Sequence, residues 1–126
     1  MKILVVDDSP TMRRIIIAQL KQLGYGEVEE AENGQAALDR LQEKPFDFVL
    51  TDWNMPFMDG RTMVRQLRQT PGIEQLPVLM VTTRNTKADV MDALRAGVNN
   101  YVVKPFKPSD LKSKIEAVLA AGIKAN

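Results

Sequence analysis

At 126 residues, 44% hydrophobic and 26% charged, the chain has room for one packed domain with an ordinary core. It contains no cysteine and no histidine, so disulfides, thiolate or imidazole metal sites, Ser-His and Cys-His triads and any phosphohistidine of its own are excluded. The net charge of +1 hides an asymmetry: residues 1–83 hold nine Lys/Arg and twelve Asp/Glu, whereas residues 84–126 hold eight and four. That basic third is either a set of solvated helix faces or a surface for an acidic partner, and it lacks the density and aromatic interleaving of a nucleic-acid stripe.

Met1-Lys2 precedes only four apolar residues before Asp7, too few for a signal-peptide core. No apolar run approaches membrane-spanning length, so a cytoplasmic protein without membrane partners is expected. Ile3-Leu4-Val5-Val6 reads as a first strand, closed by Asp7 and Asp8. Met12, Ile16, Leu20 and Leu23 then form a helical stripe, and Gly24 is placed to stop it. Glu27–Ala31 is a more polar strand, suited to an edge. Asn33 can cap a second helix carrying Ala37, Leu38 and Leu41. Phe48-Val49-Leu50 is the third strand, closed by Asp52, and Asp59-Gly60 opens a helix with Met63, Val64 and Leu67. Val78–Val81, closed by Thr82, precedes Thr86-Lys-Ala-Asp89, which has capping-box spacing for a helix packed through Leu94 and ended by Gly97. Tyr101-Val102-Val103, closed by Lys104, is the fifth strand, and Leu111, Ile115, Val118 and Leu119 mark the last helix.

The strand runs are short, β-branched and mostly non-alternating, as expected of parallel strands covered on both faces. Five of them alternating with five helices predict an α/β domain with a parallel sheet and right-handed crossovers, occupying residues 1–126. In such sheets ligands gather at the carboxyl ends of the strands. Asp7, Asp8, Asp52, Thr82 and Lys104 all fall at that edge, which makes it the candidate site.

Converging carboxylates repel unless a cation joins them, and hard oxygens without imidazole or thiolate suit Mg²⁺, with Mn²⁺ as the other option. Lys104 is a point charge suited to a phosphoryl group, and the Thr82 hydroxyl can donate to a phosphoryl oxygen. Acid cluster, metal, lysine and hydroxyl together describe phosphoryl transfer. A carboxylate can be the nucleophile, and Asp52, alone at the middle of the edge, is the choice. Asp59 and Asp89 read as helix caps instead.

VVDDSPTMRR, DWNMPFMDG, VTTR and NNYVVKPF, in this order and covering essentially the whole chain, resemble the receiver domain of two-component response regulators. The resemblance implies a flavodoxin-like five-stranded sheet of order 2-1-3-4-5, and a single receiver domain without an output domain. It implies that Asp52 accepts a phosphoryl group from a histidine kinase. Asp8 and Asp52 would bind Mg²⁺ directly with the backbone carbonyl of Asn54, and Asp7 partly through water. Lys104 and Thr82 would stabilise the phosphoryl group, and the Lys104-Pro105 bond would be cis. Thr82 would move toward the phosphoryl group and Tyr101 would turn inward, changing the surface of the fourth helix, fifth strand and fifth helix.

Trp53, Asn54, Tyr101 and the single domain resemble the chemotaxis regulators of this family. That implies a chemotaxis-type histidine kinase as phosphodonor, the flagellar motor switch protein as target, a phosphatase as a further partner, and a monomer. The only enzymatic property implied is Mg²⁺-dependent self-phosphorylation and its reversal at an aspartate. Three positions depart from the family's pattern. Thr83 stands where a smaller residue is common. Arg84, which with Asn54 flanks the path of the hydrolytic water, bears on the phosphoryl lifetime. Lys107 precedes Pro108 and is a poor cap, which Asp110 offsets. Trp53 reads as a partly exposed aromatic and a reporter of the site. The alternatives are a receiver in a non-chemotaxis pathway or phosphorelay, a haloacid-dehalogenase-type phosphatase, whose D-x-D-x-T pattern is missing, and a flavin carrier, which would want no acids after the first strand.

Overall fold

The computed structural model describes residues 1–125, so Asn126, the last residue of the expected domain, lies outside the described residues. The chain alternates β1 (Lys2–Val6), α1 (Pro10–Gln22), β2 (Glu27–Ala31), α2 (Gly34–Glu43), β3 (Phe48–Thr51), α3 (Gly60–Arg68), β4 (Val78–Thr82), α4 (Lys87–Ala96), β5 (Asn100–Val103) and α5 (Pro108–Ala125). All strand pairs are parallel and the order is β2-β1-β3-β4-β5, the flavodoxin-like arrangement. β2 is the half-exposed edge that its glutamates suggested.

Successive strand residues point to opposite faces, and each face has its own core. Leu4, Val6, Val49, Val78 and Met80 pack under α2, α3 and α4 with Leu38, Met63, Val64 and Leu67. Ile3, Val5, Phe48, Leu50, Leu79 and Val81 pack against α1 and α5 with Ile16, Leu20, Leu111 and Ile115. Burial on both faces is why the strand runs carry no polar alternation.

The helices begin where side chains can take up their free N–H groups. Asn33 Oδ1 accepts from Ala36 N at 2.9 Å, Asp59 Oδ1 from Thr62 N at 2.8 Å and Thr86 Oγ1 from Asp89 N at 3.0 Å. Ser9 caps α1 by accepting from Met12 N at 3.1 Å, with Pro10 as the first helical residue. Before α5, Asp110 Oδ2 accepts from Lys107 N at 2.9 Å, so the acid supplies what the lysine side chain cannot. The Lys104-Pro105 bond is cis.

Two expectations are corrected. Leu94 does not pack inward; it is 43% exposed. The buried face of α4 is centred on Ala93 with Ala96 and the partly buried Val90, and Leu94 lies about 100° around the helix from Ala93. Trp53 is not a surface aromatic; it is 4% exposed and part of the core beneath α2–α4. The chain turns down into that core directly after Asp52.

The segment after β3 is held close to the strand end by Gly60, whose N–H donates to Trp53 O at 2.8 Å. A Cβ on Gly60 would collide with the Asp52 carbonyl oxygen. Gly60→Ala is therefore expected to cost about 2–3 kcal/mol of stability through displaced backbone. Urea denaturation of both proteins measures this, and an unchanged midpoint would contradict the close approach.

Candidate functional site

Asp7, Asp52 and Lys104 each lie one residue past a strand, and the ladder hydrogen bonds run on to place them. Asp7 N donates to Ala31 O at 3.1 Å, Asp52 N to Val6 O at 2.9 Å and Lys104 N to Thr82 O at 2.8 Å. Three chain-distant residues thus reach one edge through main-chain pairing rather than loop conformation.

There the side chains meet. Lys104 Nζ donates to Asp7 Oδ2 and to Asp52 Oδ2, each at 2.9 Å. Asp7 Oδ1 also accepts from Ser9 N at 2.9 Å, and Asp52 Oδ1 from Trp53 N at 2.6 Å. Asp8 is exposed, but one of its carboxylate oxygens lies within 4.8 Å of one from Asp7 and one from Asp52. Three carboxylates against one ammonium leave a surplus of negative charge facing solvent, with oxygen donors only. That donor set fits a hard divalent cation. The Asn54 carbonyl oxygen accepts no main-chain hydrogen bond among the described residues and so is free to join such a set.

Burial and charge shift the protonation of these groups. Burial pushes Asp7 above its ordinary value, and the hydrogen bonds from Ser9 and Lys104 only partly reverse this. Burial alone would lower Lys104, yet its hydrogen bonds to Asp52 and Asp7 carry it above the usual lysine value. At neutral pH the lysine is therefore charged, while burial works against the ionised form of Asp7.

The other expected residues form a second layer. Thr82 is fully buried at the end of β4, and its hydroxyl accepts a long 3.4 Å contact from Arg84 N. Arg84 is a junction. Its Nε and Nη2 donate to Asn54 Oδ1 at 3.1 and 3.0 Å, and its guanidinium lies 4.4 Å above the Trp53 ring. Its Nη1 lies 3.4 Å from Asp89 Oδ1. Asp89 thus spends its carboxylate on Arg84 while Thr86 alone caps α4, a correction to the reading of Asp89 as a cap. Tyr101 is joined to the site through the same residue, since its hydroxyl donates to Arg84 O at 2.8 Å. Burial, with Asp89, pushes that phenol up to about 12, so it remains a donor. Tyr101 is 8% exposed and lies inward in this structure. Thr83 is exposed.

Two contributors were not legible beforehand. Arg13 Nη1 donates to Asp7 O and its Nε to Glu30 Oε1, both at 2.6 Å, bracing the end of β1. The parallel register that sets Glu30 beside Val5 creates this contact, and no local pattern announces it. The Arg84 main-chain carbonyl is the other, because sequence motifs name side chains.

The sequence matches the response regulator receiver domain family over residues 3–116. It is 52% identical to a protein named chemotaxis protein CheY homolog from Campylobacter jejuni, over 97% of this chain and 95% of that one. Among solved structures, the chemotaxis protein CheY4 of Vibrio cholerae is similar at a TM-score of 0.86 and 35% identity, over 93% of this chain and 97% of that one. The receiver domain of the sensor histidine kinase PA1611 from Pseudomonas aeruginosa, described with a magnesium ion coordinated in its active site cleft, is similar at 0.86 and 29% identity, over 94% and 97%.

The raised value of Asp7 has a sign that can be tested. A group whose folded value exceeds its unfolded one loses stability as pH rises through the folded value. In EDTA, Asp7→Asn is thus expected to be more stable than wild type at pH 7, with the difference shrinking toward pH 4. Denaturant titrations at both pH values read this; a variant less stable at neutral pH would refute it.

Proposed function

This chain belongs to the response regulator receiver domain family, and from that premise we propose that it is a phosphorylation-activated switch with Asp52 as its acceptor. The observation carrying this is Lys104 Nζ, 2.9 Å from both Asp7 and Asp52, in a cluster of three carboxylates at the carboxyl edge of the sheet. An Asp52 carboxylate oxygen attacks the phosphorus of a phosphohistidine on a partner kinase. The P–N bond breaks and its electron pair leaves on the imidazole nitrogen. Lys104 is placed to take a phosphoryl oxygen as one arrives, exchanging a carboxylate contact for it, and Thr82 offers its hydroxyl from β4. Asp8, Asp52 and the Asn54 carbonyl would hold Mg²⁺, or Mn²⁺, with Asp7 acting partly through water. The ion when bound supplies charge neutralisation for the phosphoryl oxygens. Burial of Asp7 keeps bulk water from one side, and Ser9 N and Lys104 orient its carboxylate.

Arg84 and Asn54 tune how long the phosphoryl group survives, because Arg84 already occupies the Asn54 side-chain oxygen that could otherwise orient a water. The chain's chemistry is confined to self-phosphorylation and its reversal at Asp52. Movement of Thr82 toward the phosphoryl group pulls on Arg84 N, and through the Arg84 carbonyl on Tyr101, so the surface of α4, β5 and α5 changes. On that surface Met91, Leu94 and Val103 are 44%, 43% and 38% exposed. Together with Val103, the residues Tyr101, Val102, Phe106, Asp110 and Lys114 line a groove of about 270 Å³. The exposed apolar residues in the basic third of the chain suit an acidic amphipathic peptide, and the flagellar motor switch protein is its source, a reading consistent with the similarity to chemotaxis proteins. A chemotaxis-type histidine kinase is the phosphodonor and a phosphatase the antagonist. The protein works as a cytoplasmic monomer; none of the helices among the described residues is long and apolar enough to cross a membrane.

The test is the intact mass after exposure to acetyl phosphate with Mg²⁺, quenched quickly, beside Asp52→Asn and an EDTA control. One phosphoryl group gained by the wild type alone, and only with metal, is expected. No gain, together with no response to beryllofluoride, would sink the reading. Mg²⁺ should also change Trp53 fluorescence, because Trp53 N is bonded to the Asp52 carboxylate; a flat titration would argue against metal at Asp52.

A further inference from the structure

Phe57 has no role in the core and none in the acid cluster. It is 93% exposed and its φ is 68°, which makes it the one non-glycine residue at positive φ among the described residues. The other three such positions are glycines, Gly24, Gly72 and Gly97. A bulky side chain is disfavoured in this backbone region, and exposing a phenyl ring gains nothing from burial. The ring itself, 93% exposed, gains no burial to offset either cost.

The turn that imposes this conformation is firmly anchored. Met58 N donates to Pro56 O at 2.7 Å, closing a three-residue turn with Phe57 at its centre. On one side Met58 O accepts from Gly34 N at 3.1 Å, and a Cβ on Gly34 would come within 2.8 Å of that oxygen. On the other, Gly60 N returns to Trp53 O at 2.8 Å. The chain between Asp52 and α3 is thus pinned at both ends, leaving Asp52 and returning against its carbonyl at Gly60, with Phe57 held outward on the loop that borders the site. Backbone strain maintained by surrounding structure is a feature of functional surfaces.

We propose that Phe57 is a docking anchor for the protein that delivers the phosphoryl group, seated in an apolar pocket beside its phosphohistidine. This rests on Asp52 being the acceptor. The occupant follows from reach: the Asp52 side chain is only 13% exposed, so a donor imidazole must be pressed against the rim for its phosphorus to meet the carboxylate. The segment bearing Phe57 is part of that rim. A small phosphodonor makes no such contact. The α4–β5–α5 surface is carried by other elements, so docking at Phe57 leaves it free for the downstream partner.

The experiment compares two phosphodonors on the wild type, Phe57→Gly, Phe57→Ala and Phe57→Trp. One is acetyl phosphate with Mg²⁺; the other is the phosphorylated histidine domain of the Campylobacter jejuni chemotaxis kinase. Phe57→Gly relieves the backbone and is expected to melt no lower than wild type, so a folding defect will not imitate the result. Acetyl phosphate should phosphorylate all four within about twofold. Transfer from the kinase domain should fall about tenfold or more in kcat/KM for Gly and Ala, mainly through KM, and recover with Trp. Unchanged kinase transfer in Phe57→Gly overturns the proposal. So does an equal fall with both donors, which would make Phe57 part of the site itself, or a wild type served by acetyl phosphate but not by the kinase. An effect confined to removal of the phosphoryl group by a protein phosphatase would assign the anchor to that partner and overturn the donor reading. If acetyl phosphate fails on the wild type, the acceptor assignment fails first and the anchor falls with it.

Discussion

The Lys104 ammonium shared by Asp7 and Asp52 joins three strands that are far apart in sequence. It ties β5 to β1 and β3 at the one edge of the sheet where main-chain pairing runs out. Without that charge, buried Asp7 would face the Asp52 carboxylate with no counter-ion, and the edge would repel itself. With it, two of the acids are oriented by fixed donors while Asp8 stays open to solvent. The balance is incomplete by design of the residues present: one positive charge serves three negative ones. The remaining charge makes the edge receptive to a cation and, through the lysine, to an anion that can compete for its hydrogen bonds. A stable resting arrangement and a reactive one therefore differ by the exchange of a few contacts around one nitrogen.

Arg84 extends that edge sideways. Its guanidinium spans Asn54, the face of Trp53 and Asp89, and its main chain touches Thr82 and Tyr101. Loops after two adjacent strands, the first turn of α4 and the aromatic of β5 are thereby connected through one residue. The burial of Trp53 matters here, because a ring anchored in the core gives the guanidinium a fixed platform. The exposure of Leu94 belongs to the same geometry. α4 approaches the sheet on alanines and turns its larger apolar residues outward, toward the surface the proposed switch would alter.

Much of the fold was legible from local pattern. Strands buried along all or most of their length appear as apolar, largely β-branched runs, the polar run appears as an edge, and Asn33, Asp59 and Thr86 announce three helix starts by the side-chain oxygen a free N–H requires. Lys107 and Asp110 were legible for the same reason. Leu94 misled because a leucine within a helical period looks like core, whereas the face of α4 was set by how closely its alanines let it approach. Trp53 misled because a residue beside a polar cluster looks solvated until the direction of the chain is known.

The sequence alone determined the element types, their alternation, and the placing of Asp7, Asp8, Asp52, Thr82 and Lys104 at strand ends, because hydrophobic period and capping chemistry are local properties of a chain. It also determined the donor chemistry, since a chain without histidine or cysteine leaves oxygen ligands. The tertiary structure decided which of those charges meet: Lys104 takes Asp7 and Asp52 and leaves Asp8 to solvent, Arg13 finds Glu30 across a strand register, and Arg84 gathers Asn54, Trp53, Asp89 and Tyr101. Such pairings depend on distances of a few ångströms between residues tens of positions apart. Only the packed sheet, with its order and register, sets those distances.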